Sequence, residues 1–326
     1  MSQKLLITGG AGFIGSALSA YLLDHGYEVV VVDDLSTGHS KTIDSRASFI
    51  QASILDKPAL VQALAGAKTV IHCAAKSLVE ESVSKPQLYE QVNTEGTRVL
   101  LEAMSEIGVS NIIFSSTAAV YGDSKIKPIQ ESSEINPVNP YGKSKIASER
   151  LISASCSNGF AAITFRYFNV AGSYQSSTGQ LHVEDHKNET HLIPKIMKNY
   201  IENKEKTQVE IYGDSWPTND GSCIRDYLHV TDLAAAHLLA LDALEAGKNQ
   251  VFNLGSGNGY SVLEVVNEIE NVIGGKLNKV VTPARFGDPA VLLADIDKAR
   301  KELGWIPKAD LNQIISDSWQ GVKQLG

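Results

Sequence analysis

Apolar positions fall in two rhythms along the first half of the chain. Short dense runs at 4–8, 29–32, 49–51, 69–72, 111–115 and 162–166 carry aliphatic and β-branched residues almost without interruption. Between them, near 12–25, 58–65, 86–107 and 141–155, apolar residues recur every three or four positions. Uninterrupted runs of this length predict strands covered on both faces, and the slower rhythm predicts helices. Their strict alternation predicts an α/β fold with a doubly wound parallel sheet. Past about Gly172 the order loosens. A polar stretch over 174–189 reads as a covering loop, and a smaller C-terminal lobe is expected after it. The segments 226–243 and 251–254 are expected to rejoin the large lobe.

The first strand runs into Gly9-Gly10-Ala11-Gly12-Phe13-Ile14-Gly15, and a helical pattern follows at Leu18, Leu22 and Leu23. Strand, glycine turn and helix in that order are the context of a dinucleotide-binding turn, hence of a Rossmann-type sheet. Gly9 allows the sharp turn, Gly12 lets backbone approach a pyrophosphate, and Gly15 allows close helix–strand packing. The helix N-terminus then offers free N–H groups to phosphate. The second strand ends in Asp33-Asp34. A carboxylate there suits free ribose hydroxyls and repels a 2′-phosphate, so NAD is expected over NADP.

Composition narrows the partners. A length of 326 residues favours two lobes over one core. The formal net charge of −8, with basic residues scattered, argues against nucleic acid. No apolar stretch is long enough to span a membrane, and the N-terminal apolar run is too short for a signal peptide, so a cytoplasmic enzyme is expected. Cys73, Cys156 and Cys223 lie far apart without metal or redox spacing. His182, Glu184, Asp185, His186 and His191 crowd one segment without apolar periodicity; it reads as a polar loop, and no metal is expected.

Tyr141 and Lys145 lie four residues apart, on one face of the helix expected there. A free phenol, with a pKa of about 10, is a poor base near neutrality; bringing it there takes about 4 kcal/mol of differential interaction. An ammonium such as Lys145 and a bound cationic nicotinamide are the expected sources. In an open α/β sheet the cleft forms beyond the carboxyl ends of the strands. The small residues Cys73, Ala74 and Ala75 end one strand, and Ser115-Ser116-Thr117 ends another, where Thr117 can hydrogen-bond beside Tyr141. Asn93, on the long helix, is expected to hydrogen-bond to backbone or cofactor.

With these residues assembled, the chain resembles the extended short-chain dehydrogenase/reductase family, most closely its UDP-glucose 4-epimerase (UDP-galactose 4-epimerase) branch. The resemblance covers nearly the whole chain. It rests on Thr8–Gly15, on Phe114-Ser115-Ser116-Thr117-Ala118-Ala119-Val120-Tyr121-Gly122, on Tyr141-Gly142-Lys143-Ser144-Lys145, on Arg166-Tyr167-Phe168-Asn169-Val170-Ala171-Gly172 and on Asp220-Gly221-Ser222-Cys223-Ile224-Arg225-Asp226-Tyr227. It implies reversible inversion at C4 of a UDP-hexose with NAD retained between turnovers. Tyr141 would take the 4-hydroxyl proton, Thr117 would bond that oxygen, and Lys145 would bind the nicotinamide ribose and tune Tyr141. Tyr167 would lie beside the nicotinamide. Asn169, Arg225 and Arg285 would meet the diphosphate, Asp288 the uridine ribose, and Tyr212 the uracil. Ser53, before Ile54, stands where relatives usually carry an aspartate on adenine. Lys76-Ser77 differs from versions with a lysine one place later. His191-Leu192 replaces an Asn-Leu pair at the substrate, and Leu292 takes the position that limits an N-acetyl group.

The alternatives are a UDP-N-acetylglucosamine or UDP-glucuronate 4-epimerase, a nucleotide-sugar 4,6-dehydratase and a non-catalytic NAD-binding regulator. Ala118-Ala119 follow the Ser-Thr pair where dehydratases place acids, and neither moves a proton. The helices at 86–107 and 141–155 are expected to carry apolar outer faces, which in relatives pair across a homodimer.

Overall fold

The computed structural model describes residues 3–125, 127–186, 189–285 and 288–325, the Glu205 side chain excepted. Six strands of the first half, β1 (Lys4–Thr8), β2 (Glu28–Asp33), β3 (Ser48–Gln51), β4 (Thr69–His72), β5 (Asn111–Thr117) and β6 (Ala161–Tyr167), join Asn249–Leu254 in one sheet. Its order is Asn249–Leu254, β6, β5, β4, β1, β2, β3, and every pairing is parallel. The order reverses between β1 and β4, so a crevice opens there beyond the strand ends. Register brings Thr8 beside His72, and Thr117 beside Tyr167, along that same edge.

Alternation along each strand divides the core into two layers. Leu5, Ile7, Val29 and Val31 pack with Leu18 and Leu22 of the helix Phe13–Asp24 on one face. Leu6, Val30 and Val32 pack with Leu60 and Leu64 of the helix Lys57–Leu64 on the other. A third cluster, including Ile193, Met197, Ile211, Val266, Ile269 and Ile314, forms the core of the smaller lobe.

Four expectations need correction. First, 174–189 is not merely a polar cover. Ser173–Gln175 and Leu181–Val183 form an antiparallel hairpin, with His182, Val183 and Glu184 buried. It is tied to the helix Phe13–Asp24 because Asp24 accepts hydrogen bonds from Tyr174 Oη and Ser177 N and pairs with Arg46 at 2.8 Å. Second, the helix expected at 86–107 is helical but not uniform. A wider π-turn over Glu90–Glu95 separates Pro86–Tyr89 from Gly96–Ile107. It occurs where Asn93 turns inward to hold backbone, a setting in which π-turns recur.

Third, Asp226 lies in a second sheet. Its strand, Ile224–His229, pairs with Asn169–Ala171, Gly259–Ser261 and Val291–Leu292. The chain returns to the large lobe from Val230, through the helix Val230–Ala243 and the strand Asn249–Leu254. Fourth, the outer faces of the two expected dimer helices are largely polar. Gly96–Ile107 exposes Arg98, Glu102, Ser105 and Glu106 beside Ile107, and Pro140–Cys156 exposes Lys143 and Arg150. Exposed apolar side chains nearby are Val79, Val83 and Val138. Among the described residues, no helix is long and apolar enough to cross a membrane.

Candidate active site

One cavity of about 860 Å³ runs from the turn after β1 to the smaller lobe. Its first wall is built by glycine. Gly9 has φ +73°, and a Cβ there would lie 2.5 Å from Ala74 N. A Cβ on Gly15 would lie 2.2 Å from Gly9 O. Gly12, the N-cap of the helix, has no side-chain cap, and a Cβ there would meet only Gly9 O, at 3.5 Å. The turn therefore presents open backbone and uncapped N–H groups to the cavity, the donor set that fits a pyrophosphate.

Asp33 accepts N–H bonds from Ala11 at 3.0 Å and Leu35 at 2.8 Å. Burial pushes its carboxyl pKa up, against those bonds. Phe13, Ile14, Asp34, Ile54, Cys73, Ala74 and Ala75 line the same end. This arrangement fits NAD: a phosphate cradle followed by a carboxylate at the second strand end.

Two expected residues lie off the lining. Ser53 Oγ accepts from Leu55 N at 3.2 Å, a local turn bond. Asn93 is buried; its Oδ1 accepts from Lys76 N at 2.8 Å, and its Nδ2 donates to Lys76 O and Ser144 Oγ, both at 2.9 Å. It braces Lys76 from behind, and Lys76 itself lines the cavity and reaches Ser36 Oγ at 3.1 Å.

The reactive centre forms where β5 ends beside the helix Pro140–Cys156. Asn139 caps that helix through Gly142 N at 2.8 Å, and Pro140 opens it. Gly142 permits the approach, since a Cβ there would lie 2.7 Å from Ala119 O. Tyr141 falls in the first turn and Lys145 one turn later, and the Thr117 hydroxyl at the end of β5 is close enough to the Tyr141 phenol to favour its anion. Tyr141, Lys145, Thr117, Ser115 and Tyr167 all line the cavity. The Tyr167 hydroxyl stands 3.0 Å from Ser115 Oγ and 2.7 Å from His237 Nε2.

The electrostatics differ from the sequence expectation. Burial raises the Tyr141 pKa, and the nearby Thr117 hydroxyl opposes it only in part. Lys145 donates to Ser115 O at 2.7 Å, lies 4.8 Å from the Phe114 ring centroid, and is itself lowered by burial to about 8. A buried ammonium takes the nearest carbonyl to offset its lost hydration, so Lys145 does not lower the phenol in this state. The Cys73 thiol is raised by burial to about 11, which makes it an inert packing group.

The far wall carries Asn169, His191, Leu192, Tyr212, Arg225, Arg285, Asp288 and Leu292. The Arg285 guanidinium lies 3.8 Å over the Tyr212 ring. Arg225 Nη1 donates to Ile224 O and Pro289 O, each at 2.9 Å, and its Nη2 is 3.6 Å from Asp288. Held on one edge, Arg225 keeps N–H donors on the other for an anion.

Sequence reasoning missed a buried network behind β5. Arg166 makes a two-point contact with Glu149 at 3.1 and 2.7 Å, Ser116 Oγ donates to Glu149 at 2.5 Å, and Arg166 also donates to Tyr121. The available signal was Glu149 at four residues past Lys145, on the same helix face, beside an arginine already inside a recognised motif.

The comparisons agree with this geometry. The model of the NAD dependent epimerase/dehydratase family matches residues 5–255. A UDP-glucose 4-epimerase of Corynebacterium glutamicum is 45% identical over 326 residues, covering 99% of this chain and 97% of that protein. The crystal structure of UDP-glucose-4-epimerase from Stenotrophomonas maltophila with bound NAD and formylated UDP-arabinopyranose superposes with a TM-score of 0.93 at 33% identity, covering 99% and 98% of the two chains. That of UDP-glucose 4-epimerase from Bifidobacterium longum in complex with NAD+ and UDP gives 0.91 at 34% identity, with the same coverage. A cradle, a carboxylate and a Tyr–Lys–Thr centre in one cavity, with matches over nearly the full length, establish that the chain belongs to the NAD dependent epimerase/dehydratase family.

Proposed function

We propose that this chain catalyses NAD-dependent, reversible C4 epimerisation of UDP-glucose and UDP-galactose. The observation that carries the reading is that Thr117, Tyr141 and Lys145 line one cavity together with the glycine cradle and the arginine wall. Gly9, Gly12, Gly15 and Asp33 would hold NAD, which supplies a reversible two-electron acceptor for the sugar carbon. Tyr141 takes the proton from the 4-hydroxyl and returns it. Thr117 holds that oxygen in line with the phenol. Lys145 keeps the strand end in place through Ser115. Arg225, Arg285 and Asn169 grip the diphosphate, while Tyr212 and Asp288 face the nucleoside. Gripping the nucleotide and leaving the hexose loose places binding energy away from the carbon that must present both faces. Ala118 and Ala119 offer no acid for eliminating water, which keeps the reaction at epimerisation.

The same reading assigns NAD binding to residues 1–171 with 230–254 and most of the substrate wall to the remainder. It carries a cytoplasmic location as a proposal, and a homodimer on the family resemblance alone, since the outer faces of the two helices are largely polar. Conversion of UDP-galactose by the purified protein, followed through coupled UDP-glucose detection without added nicotinamide, tests the function. No turnover, even after NAD is supplied, would overturn it.

A further inference from the structure

Four side chains with metal-ligand chemistry meet at the edge of the cavity, and the reaction above uses none of them. Glu184 follows the strand Leu181–Val183, His191 caps the helix Leu192–Asn203, and His186 and Glu189 lie between. One ligand atom from each lies within 4.8 Å of all the others. His186 Nδ1 is 3.4 Å from Glu184 Oε1 and 3.5 Å from Glu189 Oε2. His191 Nδ1 is 3.4 Å from Glu189 Oε1 and 2.5 Å from Glu184 Oε1.

Three of these four separations are too long for good hydrogen bonds. These three are close to the edge of a tetrahedron, about 3.4 Å when N and O ligands stand about 2.0–2.1 Å from a central zinc ion, and the 2.5 Å His191–Glu184 approach widens for both atoms to meet one ion. A second observation is independent of spacing. His186 Nδ1 and Glu189 Oε2 are buried without a hydrogen-bond partner, and the Glu189 side chain is only 7% exposed. Buried polar atoms without a hydrogen-bond partner call for an explanation, and a bound ion supplies one.

The surroundings suit a cation. Glu189 Oε1 accepts N–H bonds from Thr190 and His191, each at 3.1 Å, which fix the carboxylate as outer-sphere partners do. Lys198 is 3.5 Å from Glu189 Oε2, but it also pairs with Asp185 at 3.3 Å, and Lys41 meets Asp185 at 3.2 Å. Two carboxylates and two neutral imidazoles balance a dication.

We infer that Glu184, His186, Glu189 and His191 bind one divalent transition-metal ion of the zinc class. Four protein ligands leave no open position, so the ion is structural. It fastens the hairpin to the first turn of Leu192–Asn203, where Leu192, Ile193 and Lys195 line the cavity. The site thereby sets the position of a substrate wall without entering the chemistry.

The test uses tag-free protein, prepared without chelator and analysed by inductively coupled plasma mass spectrometry. About one zinc per chain is expected, together with a lower melting temperature after chelation that added zinc sulfate restores. In the double variant His186→Gln/Glu189→Gln, zinc affinity measured against a chromophoric chelator is expected to fall by about a hundredfold or more. The wild-type chelation arm stands even if that variant folds poorly. Substoichiometric metal, with a melting temperature insensitive to both chelator and zinc, would overturn the inference and leave four residues joined only by proton-mediated ion pairs.

Discussion

Lys145 donates a hydrogen bond to Ser115 O at 2.7 Å, while Tyr141, one helical turn earlier, lines the cavity with Thr117. The base is therefore placed by geometry before it is activated by charge. Burial adds to the phenol's ordinary preference for its protonated form, so activation depends on the cation that arrives with the oxidised cofactor. Tyr141→Phe is expected to fold, to retain nicotinamide, and to lose about a hundredfold to ten-thousandfold in kcat. Turnover of UDP-galactose, with retained nucleotide measured by chromatography, checks this; activity within tenfold of wild type would remove Tyr141 as the base.

Lys145 has a readable pH signature. Its folded-state pKa is lowered to about 8 from the ordinary 10.5. Between those values the unfolded chain binds more protons than the folded one, so this residue makes stability rise with pH across the window. Below pH 8 its full burial penalty is present. In cofactor-stripped protein, Lys145→Met removes this dependence. Urea unfolding at pH 7.5, 9 and 10.5 is expected to show wild type gaining on the variant as pH rises, and parallel curves would contradict the assignment.

Glu149 and Arg166 form a buried pair, 6% and 7% exposed, directly behind Ser116. Removing one partner strands the other charge, so Glu149→Gln or Arg166→Met is expected to cost about 3–5 kcal/mol of stability. Replacing both with Met is expected to recover much of that loss. A double variant no more stable than the worse single variant would show that the pair is not an isolated electrostatic unit.

Two glycines in one turn separate folding from binding. Gly15→Ala drives a methyl into Gly9 O and is expected to lower both the melting temperature and NAD affinity. Gly12→Ala meets nothing closer than 3.5 Å and is expected to leave the melting temperature nearly unchanged while weakening NAD. Calorimetry paired with nucleotide titration distinguishes them; equal melting losses would sink the distinction.

The strands at 4–8, 29–32, 49–51, 69–72, 111–115 and 162–166 were legible because a parallel strand covered on both faces leaves an uninterrupted apolar run. The glycine turn was legible because its neighbours fix its context. His182 was not: a fully buried histidine in a polar segment owes its place to the Phe13–Asp24 and Leu311–Leu325 helices that cover the hairpin. Ser53 shows the same limit: its hydroxyl suits a ligand, and the fold gives it a backbone partner instead. For Asn93 the fold takes the backbone branch of the expectation. The direction of Lys145 was hidden because spacing shows which face a side chain shares, not which nearby oxygen it prefers.

The strand Asn249–Leu254 completes the sheet beside β6, more than eighty residues after β6 in the chain. On the ribosome, therefore, Ala161–Tyr167 must wait for its outer neighbour while the whole intervening segment is made. Throughout that interval a seven-residue strand, buried along its length in the finished protein, presents unpaired amides to other nascent chains. The final edge to arrive thus sets how long that strand stands open on one side during synthesis.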